Sequence, residues 1–195
     1  NNTCNQRRNW YDVDSAYGCT WTCTDHLNCS DCDECSGLLD SYTDPRIEIR
    51  LTSNMNKTGS NAYCIQFRAS NFVLDCQGFN VSALGSYTNA IHTNSKDNLT
   101  IKNCNLKDSE TGLRIHYTDN STFENINVSN CYYGVYLEGS HNNTLKNIKA
   151  CNNNYYDFQN YTGNSGNKGY NNTCNQRRNW YDVDSAYGCT WTCTD

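Results

Sequence analysis

The carboxylates in the middle of the chain are the first candidates for chemistry, because sugar hydrolysis requires two of them about 5–10 Å apart. Eight are spread over residues 75–157, and they do not fall in pairs at one position of neighbouring sequence repeats: Asp75, Asp97, Asp108, Glu110, Asp119, Glu124, Glu138 and Asp157. We therefore predict no catalytic residues and expect a protein that is not an enzyme. Asp75 is interpreted as a corner residue of its repeat.

Two histidines and a glutamate are candidates for binding a metal ion. Aligning the repeats places His92, His116 and Glu138 at equivalent outward positions, and Asn160 follows them. If successive repeats stack about 4.8 Å apart, two imidazoles and a carboxylate could share one metal. A solvated face with polar outward positions accounts for the same residues, so we predict neither a metal nor a cofactor.

Fourteen cysteines make up the third group. Six of them lie within the first 36 residues, an even set that three disulfides could close, with the choice among the possible pairings left open. We predict that all but one of the fourteen are in disulfides: Cys4, Cys19, Cys23, Cys29, Cys32, Cys35, Cys64, Cys76, Cys131, Cys151, Cys174, Cys189 and Cys193.

Within the central repeats the cysteines are odd in number. We expect a bridge between Cys64 and Cys76, which flank the first repeat. Cys131 and Cys151 lie in adjacent repeats, two positions out of register, and could form another. Cys104 stands in a column otherwise filled by isoleucine, and it is interpreted as a small buried apolar residue.

Two metal sites are alternatives to disulfides near the N-terminus. The Cys29-x-x-Cys32-x-x-Cys35 spacing suits a zinc or iron–sulfur site, but a fourth cysteine at a suitable distance is missing. Calcium could bind the acidic residues nearby, although the pattern of an oxygen-ligand loop with its turn glycine is not met. These acidic residues are Asp12, Asp14, Asp31, Asp33 and Glu34.

Asn-x-Ser/Thr sequons are unusually frequent in the chain and define the predicted glycosylation sites. They are Asn1, Asn28, Asn56, Asn80, Asn98, Asn120, Asn127, Asn142, Asn160 and Asn171. Many cysteines together with many sequons indicate an oxidising exterior, so we expect an extracellular or cell-surface protein with covalent N-glycans. Asn127 lies in a strand between Ile126 and Val128, where a neighbouring repeat could crowd it.

Residues 1–25 and 171–195 have the same sequence letter for letter, NNTCNQRRNWYDVDSAYGCTWTCTD. Terminal caps of repeat proteins usually differ from one another, so this identity favours one period of a longer array over a protein with two matching caps. The unit is then 170 residues, and its expected partners are identical units joined head to tail. The predicted division is a Cys-rich junction at 1–36, a central domain at 37–165 and a Cys-rich tail at 166–195.

A weaker repeat of about 22 residues runs from Asn71 to Gly163. Its alternating runs, broken by Gly, Asn, Ser and Asp, predict short strands separated by corners. Stacked coils would bury inward residues against the like residue above and below. The asparagine column is expected to face inward with its amides hydrogen-bonded along the stack. The columns are Ile101 with Phe123 and Leu145, Asn103 with Asn125 and Asn147, Cys104 with Ile126 and Ile148, and Leu106 with Val128 and Ala150.

Two segments carry a family resemblance: Val73-Leu74-Asp75-Cys76-Gln77-Gly78, and Tyr133-Gly134-Val135-Tyr136-Leu137 followed by His141-Asn142-Asn143-Thr144. They resemble right-handed parallel β-helix repeats of the pectate-lyase-like superfamily. The nearest type is the carbohydrate-binding and sugar-hydrolase repeat of tandem-repeat microbial surface proteins, archaeal ones above all. The resemblance covers roughly residues 45–165. It implies an all-β fold, a short right-handed parallel β-helix. The cysteines and the identical terminal segments add to this fold class a disulfide-rich connector repeated head to tail.

Composition narrows the function. A net charge of −5 with 18% charged residues gives no basic face for nucleic acid and no polybasic membrane patch. We expect a structural subunit of an extracellular, N-glycosylated fibre, sheath or surface layer. The alternative is a carbohydrate-binding adhesin, and a polysaccharide lyase or hydrolase is the third candidate. The adhesin would present five tyrosines to sugars: Tyr132, Tyr133, Tyr136, Tyr155 and Tyr156.

Overall fold

Short alternating segments that end at asparagine, glycine or serine form the strands of this chain. The computed structural model describes residues 26–41, 48–183, 185–186 and 188–194. One helix, α1, spans Cys32–Ser41. The strands are β1 His26–Cys29, β2 Glu48–Leu51, β3 Met55–Thr58, β4 Tyr63–Phe67, β5 Val73–Asp75, β6 Asn80–Leu84, β7 Asn89–Asn94, β8 Thr100–Lys107, β9 Thr111–His116, β10 Thr122–Ser129, β11 Tyr133–Glu138, β12 Thr144–Ala150, β13 Tyr156–Asn160, β14 Lys168–Tyr170 and β15 Arg177–Arg178.

The strands pair in parallel and build a β-helix, which confirms the predicted fold class. One sheet has the order β1-β2-β5-β8-β10-β12-β14, with β3 and β6 beside it, and the other has the order β15-β13-β11-β9-β7-β4. Each coil from β2 onward contributes a strand to both sheets, so neighbouring strands in one sheet are one coil apart. The head-to-tail repetition of the whole unit stays a prediction, and so do the domain bounds.

The apolar columns of the sequence alignment are confirmed by the register. Phe123 lies between Ile101 and Leu145, and Ile126 lies between Cys104 and Ile148. All of these side chains are at most 1% exposed. A coil therefore buries its inward residues against the next coil rather than within itself, and the stack makes one continuous core.

The asparagine column is confirmed as a hydrogen-bonded ladder, but its predicted inward orientation is wrong. The Asn125 amide donates to Asn103 Oδ1 at 3.3 Å, and the Asn147 amide donates to Asn125 Oδ1 at 3.1 Å. The three residues have φ of 53–56°, the left-handed conformation that asparagine tolerates, and they bend β8, β10 and β12 at a corner. A side chain at such a bend points to solvent, and Asn125 and Asn147 are exposed.

Asp75 lies at the end of this ladder, in agreement with its interpretation as a corner residue. The Asn103 amide donates to Asp75 Oδ1 at 3.0 Å, and the Gln77 backbone N–H donates to the same oxygen at 2.9 Å. Burial alone would raise the pKa of Asp75, but these hydrogen bonds and the Lys102 ammonium hold the pKa below its usual value. The carboxylate is thus kept ionised as an acceptor for the corner.

Each end of the stack has a cover of its own. At the first end, α1 begins after Asp31, whose Oδ1 accepts the backbone N–H groups of Asp33 and Glu34. Leu39 of this helix is fully buried against the stack. At the other end, β14 and β15 extend both sheets. There the ring of Trp180 stacks on Phe158 with centroids 5.1 Å apart.

Disulfides join each cover to the stack, and this corrects several predicted pairings. The bridges are Cys29–Cys35, Cys32–Cys64, Cys76–Cys104, Cys151–Cys193 and Cys174–Cys189. Cys4, Cys19 and Cys23 lie outside the described residues. The six N-terminal cysteines do not form the closed set of three bridges that their even number suggested, because Cys32 of α1 bonds to Cys64 of β4.

The bridges predicted inside the repeats are also wrong. Cys76 pairs with Cys104, since β5 and β8 are neighbours and the two Cα atoms are 4.8 Å apart. Cys64 is therefore left for α1, and Cys104 is buried as predicted but is not a free thiol. Cys131 is free and buried, because its expected partner, Cys151, bonds to the tail. Burial raises the pKa of the Cys131 thiol to about 12.

The five disulfides in the described part of the chain indicate an oxidising compartment, so the protein is extracellular or secreted. The one helix in the described part of the chain is too short and too polar to cross a membrane.

Candidate functional site

Six tyrosines form a continuous surface on the outer side of the six-stranded sheet, and we call this surface the tyrosine strip. Tyr132 and Tyr155 come just before β11 and β13, which are neighbouring parallel strands, so the same corner of successive coils presents both. The backbone N–H of Tyr155 donates to the Tyr132 carbonyl at 3.0 Å. The strip consists of Tyr132, Tyr133, Tyr136, Tyr155, Tyr156 and Tyr161.

The rings of the strip contact one another but remain accessible. Tyr132 and Tyr155 are stacked with centroids 5.3 Å apart and planes 15° apart, and they are 44% and 43% exposed. Tyr133 packs edge-on against Tyr136 at 5.3 Å. The alternation of β11 would put about half of such residues in the core, yet all five tyrosines singled out from the sequence are exposed or half-buried. The structure therefore brings the whole predicted set together on the outside.

A glycine beneath the strip explains how the tyrosines come so close. A Cβ added to Gly134 would lie 2.5 Å from the Asp157 carbonyl oxygen, so a side chain there would push β13 away from β11. Gly112 occupies the same place one coil earlier and is equally confined. The absence of side chains at this point lets neighbouring coils approach, and it turns Tyr133 outward at the start of β11.

Charged residues fix the middle of the strip. The Arg114 guanidinium lies 5.3 Å from the centre of the Tyr136 ring and donates to Glu138 Oε2 at 3.3 Å. Burial, and then the charge of Glu138, raise the pKa of Tyr136 to about 12. Burial, and then the neighbouring Tyr132, also raise the pKa of Tyr133. Both phenols therefore stay protonated and can donate a hydrogen bond at any physiological pH.

Two adjoining grooves border the strip. The larger, about 540 Å³, is lined by Gly85, Ser86, Tyr87, Asp108, Ser109, Glu110, Asn130, Tyr132 and Asn154. The smaller, about 220 Å³, shares Tyr87 and Glu110 with it and reaches Arg114. Tyr132 thus belongs to both the strip and the larger groove, and Arg114 contacts Tyr136 of the strip and lines the smaller groove. Together they offer aromatic faces, carboxylates and amides along one side of the stack.

Sequence reasoning missed several of these residues. Tyr87, Glu110 and Arg114 were not singled out as binding residues, and Tyr161 was not placed with the other tyrosines. Arg114 could have been found from the repeat alignment, since it directly follows Leu113 and is in register with Tyr136. Tyr87 follows an irregular coil, and its place beside Glu110 depends on a contact between loops that has no sequence signal.

The predicted column is confirmed for His116 and Glu138 and is wrong for His92 and for Asn160, which is in register with Leu137. His92 is in register with Arg114, whereas His116 is in register with Asn94 and Glu138. The alignment of the first coil was therefore shifted by two residues. The His116 ring lies 6.2 Å from that of His92, and its Nε2 lies 3.7 Å from Glu138 Oε2. Arg114, a fixed positive charge, stands beside all three.

None of the metal-site alternatives appears among the described residues. Cys29, Cys32 and Cys35 are in disulfides. Of the acidic residues considered for calcium, Asp31 caps α1, Glu34 accepts from the Ser30 backbone at 2.7 Å, and Asp33 pairs with Lys57. Asp12 and Asp14 lie outside the described residues. Helix capping and an ion pair thus account for the three described acids that the sequence left as candidate calcium ligands.

The sequon asparagines differ in how accessible their amide nitrogens are. Asn98, Asn127, Asn160 and Asn171 donate from Nδ2 to a neighbouring coil or to the tail. Asn28, Asn56, Asn120 and Asn142 are exposed, and Asn80 is half-buried. Asn1 lies outside the described residues. Occupancy of these sites stays a prediction.

Comparison with known proteins matches residues 63–192 to the family described as the right handed beta helix region. Two solved structures are similar in fold. The catalytic domain of a GH87 alpha-1,3-glucanase in complex with tetrasaccharides aligns with a TM-score of 0.45 and 14% identity, over 82% of this chain and 38% of that one. The A-module of the Azotobacter vinelandii mannuronan C-5 epimerase AlgE4 aligns with a TM-score of 0.29 and 14% identity, over 76% and 60%. No curated protein sequence matches the chain.

These comparisons correct one prediction. The sequence was taken to exclude an enzyme because its acids do not pair along the coils, but the two similar solved structures are a glucanase and an epimerase. The prediction that the chain is not an enzyme is therefore withdrawn, because unpaired acids on the coils do not exclude activity. The chain has a β-helix fold related to that of carbohydrate-active enzymes, and at 14% identity the likeness extends to the fold alone.

His92 makes the stability of this face depend on pH. Its side chain is 5% exposed, and burial, then the charges of Arg114 and His116, lower its pKa to about 4. The unfolded chain binds a proton below the ordinary histidine pKa of about 6.5, whereas the folded chain does so only near 4. The contribution of neutral His92 to the unfolding free energy is thus fully present above pH 6.5 and is lost as the pH falls from 6.5 towards 4.

We expect His92→Gln to remove much of this acid sensitivity. Between pH 7 and pH 5 the native protein should lose about 2 kcal/mol of unfolding free energy through His92, a loss that glutamine cannot show. Glutamine suits the site, because Gln66 precedes His92 in the same column. Denaturant unfolding of both proteins at the two pH values measures the difference. Equal losses in the two proteins would contradict the assignment.

Proposed function

The chain belongs to the right-handed β-helix family, and on that scaffold we propose that it binds polysaccharide along the tyrosine strip and the grooves beside it. The observation that carries the proposal is the exposed stack of Tyr132 on Tyr155, joined by Tyr132 to a groove of about 540 Å³. Aromatic faces rimmed by hydrogen-bonding groups suit pyranose rings, which have apolar faces and polar edges.

The geometry favours an extended ligand that follows the stack. Tyr87, Tyr132 and Tyr155 precede β7, β11 and β13, so they lie on three of four consecutive coils along the larger groove and the strip. Coils are about 4.8 Å apart, so the surface from the first to the last of these residues is longer than one sugar ring. A chain of sugars can therefore contact several tyrosines at once, whereas a single sugar contacts one or two.

The charge of the grooves favours a neutral polymer over a strongly acidic one. Asp108 and Glu110 line the larger groove, and Glu110 also lines the smaller one. Arg114 is the cation of the smaller groove, and Glu138 already pairs with it. A polyanion would meet the carboxylate of Glu110 and that of Asp108, which pairs with Lys107. Like charges brought together weaken binding.

Removing the two stacked rings should weaken binding of a neutral glucan tetrasaccharide at least tenfold. Tyr132→Ala with Tyr155→Ala removes about 1.4 kcal/mol or more of contact energy, because exposed aromatic anchors dominate such interfaces. Both rings are exposed, so the fold should be unaffected. Calorimetric titration measures the affinity, with an oligomannuronate as the acidic comparison.

Tyr181→Ala is the matched control, since Tyr181 is 59% exposed and lies outside the strip. It should leave the affinity unchanged. An equal loss in the control, or full binding by the double variant, would rule out the strip as the binding surface. Analysis of the same mixtures for shortened chains measures any turnover.

A second candidate function is structural, as a unit of an extracellular fibre, sheath or surface layer. The observation that favours it is the identity of residues 1–25 with 171–195, because the latter segment is built into the end of the β-helix. Binding along the side of each unit and joining at its ends are compatible, since the two surfaces are separate.

The structural role predicts native material much larger than one unit. Denaturing, non-reducing electrophoresis of protein from its source should show species far above 22.2 kDa, because units in an array are covalently joined. A single band near that mass would exclude the array.

N-glycans are the third element of the proposal. We expect them first on Asn28, Asn56, Asn120 and Asn142, whose exposed side chains are not used in the hydrogen bonds of the asparagine ladders. Asn127 should stay bare, because its amide donates to Asn105 Oδ1 at 2.8 Å. Mass spectrometry of intact peptides from native material reads the occupancy, and the reverse order would contradict this assignment.

A further inference from the structure

The tail of the chain is a built cover for the end of the β-helix. Cys174–Cys189 closes a loop within it, and Cys193 bonds to Cys151, which directly follows β12. Trp180 is 2% exposed and lies flat on Phe158. These contacts hold the tail against the last coil, which would otherwise have no coil beneath it.

A buried carboxylate organises this cover. Asp182 is 2% exposed. Its oxygens accept the Asn172 backbone N–H at 2.8 Å, the Asn172 amide at 2.7 Å and Trp180 Nε1 at 3.1 Å. They also accept the Thr190 backbone N–H at 2.9 Å and its hydroxyl at 2.8 Å. A buried carboxylate needs such donors to offset the loss of water, and here Asn172, Trp180 and Thr190 of the tail supply all five.

The β-helix recognises the cover through its own residues. Asp157 Oδ2 accepts the backbone N–H of Asn175 at 2.9 Å and of Gln176 at 3.0 Å. The Ile148 N–H donates to Asn172 Oδ1 at 2.9 Å. Every tail residue in these contacts has an identical residue 170 positions earlier. Residues 1–25 therefore carry all the chemistry needed to cover an identical end.

We propose that residues 1–25 cover the end of a second copy of this β-helix, with Cys23 bonded to Cys151 of that copy. Cys23 corresponds to Cys193, and the proposed bond is the counterpart of Cys151–Cys193. This deepens the structural proposal above and does not depend on sugar binding.

The bond cannot form within one chain. Cys23 precedes His26 of β1 by three residues, which span at most about 11 Å. Five strand spacings separate β1 from β12, where Cys151 lies. At about 4.8 Å each they amount to about 24 Å, more than twice that reach. The helix that Cys23 joins must therefore belong to another copy, upstream in the same polypeptide or in a separate chain.

The same arithmetic fixes how two copies meet. Only residues 24 and 25 separate Cys23 from β1, so the next β-helix begins within about 11 Å of the bridge. Successive helices then abut end to end, without a flexible linker between them. The bond forms when the two thiols lose two protons and two electrons to a disulfide oxidant such as oxidised glutathione, which becomes two thiols.

The test uses the full chain with its own tail weakened. Asp182→Ala with Cys193→Ser removes the buried carboxylate and the tail's bond to Cys151, while residues 1–25 stay intact. Oxidation with a glutathione mixture should give disulfide-linked chains on a non-reducing gel. Adding Cys23→Ser in the same background is the matched control and should abolish them.

Peptide mapping identifies the bond directly. Trypsin gives a Cys23 peptide that begins after Arg8 and continues past Asp25, whereas the tail peptide begins after Arg178 and ends at Asp195. The first should be linked to the peptide that contains Cys151. Linked chains that persist without Cys23, or a Cys151 that stays a thiol or pairs with Cys131, would overturn the proposal.

A second measurement keeps the test valid if that variant does not fold. The unmodified chain is incubated in a glutathione buffer with a synthetic peptide of residues 1–25, at the millimolar level needed to compete with a tethered tail. The peptide thiolate attacks Cys151, and Cys193 leaves as a thiolate. Peptide on Cys151 supports the proposal, and a Cys23→Ser peptide should not attach. If the peptide does not attach to Cys151, the proposal that residues 1–25 cover a second copy is overturned. Single units in native material would contradict only the array.

Discussion

The structure depends on one constraint: a single coil of this chain cannot bury its own inward side chains. Each inward residue is covered by the residue at the same place one coil above and below, as Phe123 is by Ile101 and Leu145. This requirement makes neighbouring coils alike in size and keeps every corner in register. It also explains the confined glycines, since Gly112 and Gly134 lie where a side chain would separate the coils.

A stack held together in this way has two ends at which the constraint fails. The first end is covered by α1 and the last by the tail, and each cover is bonded to the stack by a disulfide, Cys32–Cys64 and Cys151–Cys193. Open strand edges would otherwise pair with other chains without control. The covers turn an open solenoid into a unit of defined length, and the proposed joining of units would use the duplicated cover sequence in place of an open edge.

The outward positions are free of this constraint, so they can carry function. Ring stacking in the tyrosine strip follows the coil spacing, with Tyr132 and Tyr155 5.3 Å apart on successive coils. The ladder Asn103–Asn125–Asn147 uses the same spacing for hydrogen bonds at another corner. One periodicity therefore produces the core, a polar seam and an aromatic surface along different sides of the stack. Arg114 and Glu138 hold the aromatic side in place without a metal among the described residues.

From the sequence alone, the parallel β-helix and its columns from Ile101 to Ala150 could be predicted, because a repeat of about 22 residues reveals which residues share a column. The sequence did not show that all five tyrosines face outward, since alternation along a strand would place about half of them in the core. It did not determine the disulfides: Cys104 and Cys76 meet because β5 and β8 are neighbours across a coil of irregular length. The same irregularity displaced His92 by two residues from its assumed column and hid Tyr87 beside Glu110. Where the repeat is regular, the sequence contains the register. Where loops differ in length, only the packing of one coil on the next decides which side chains meet.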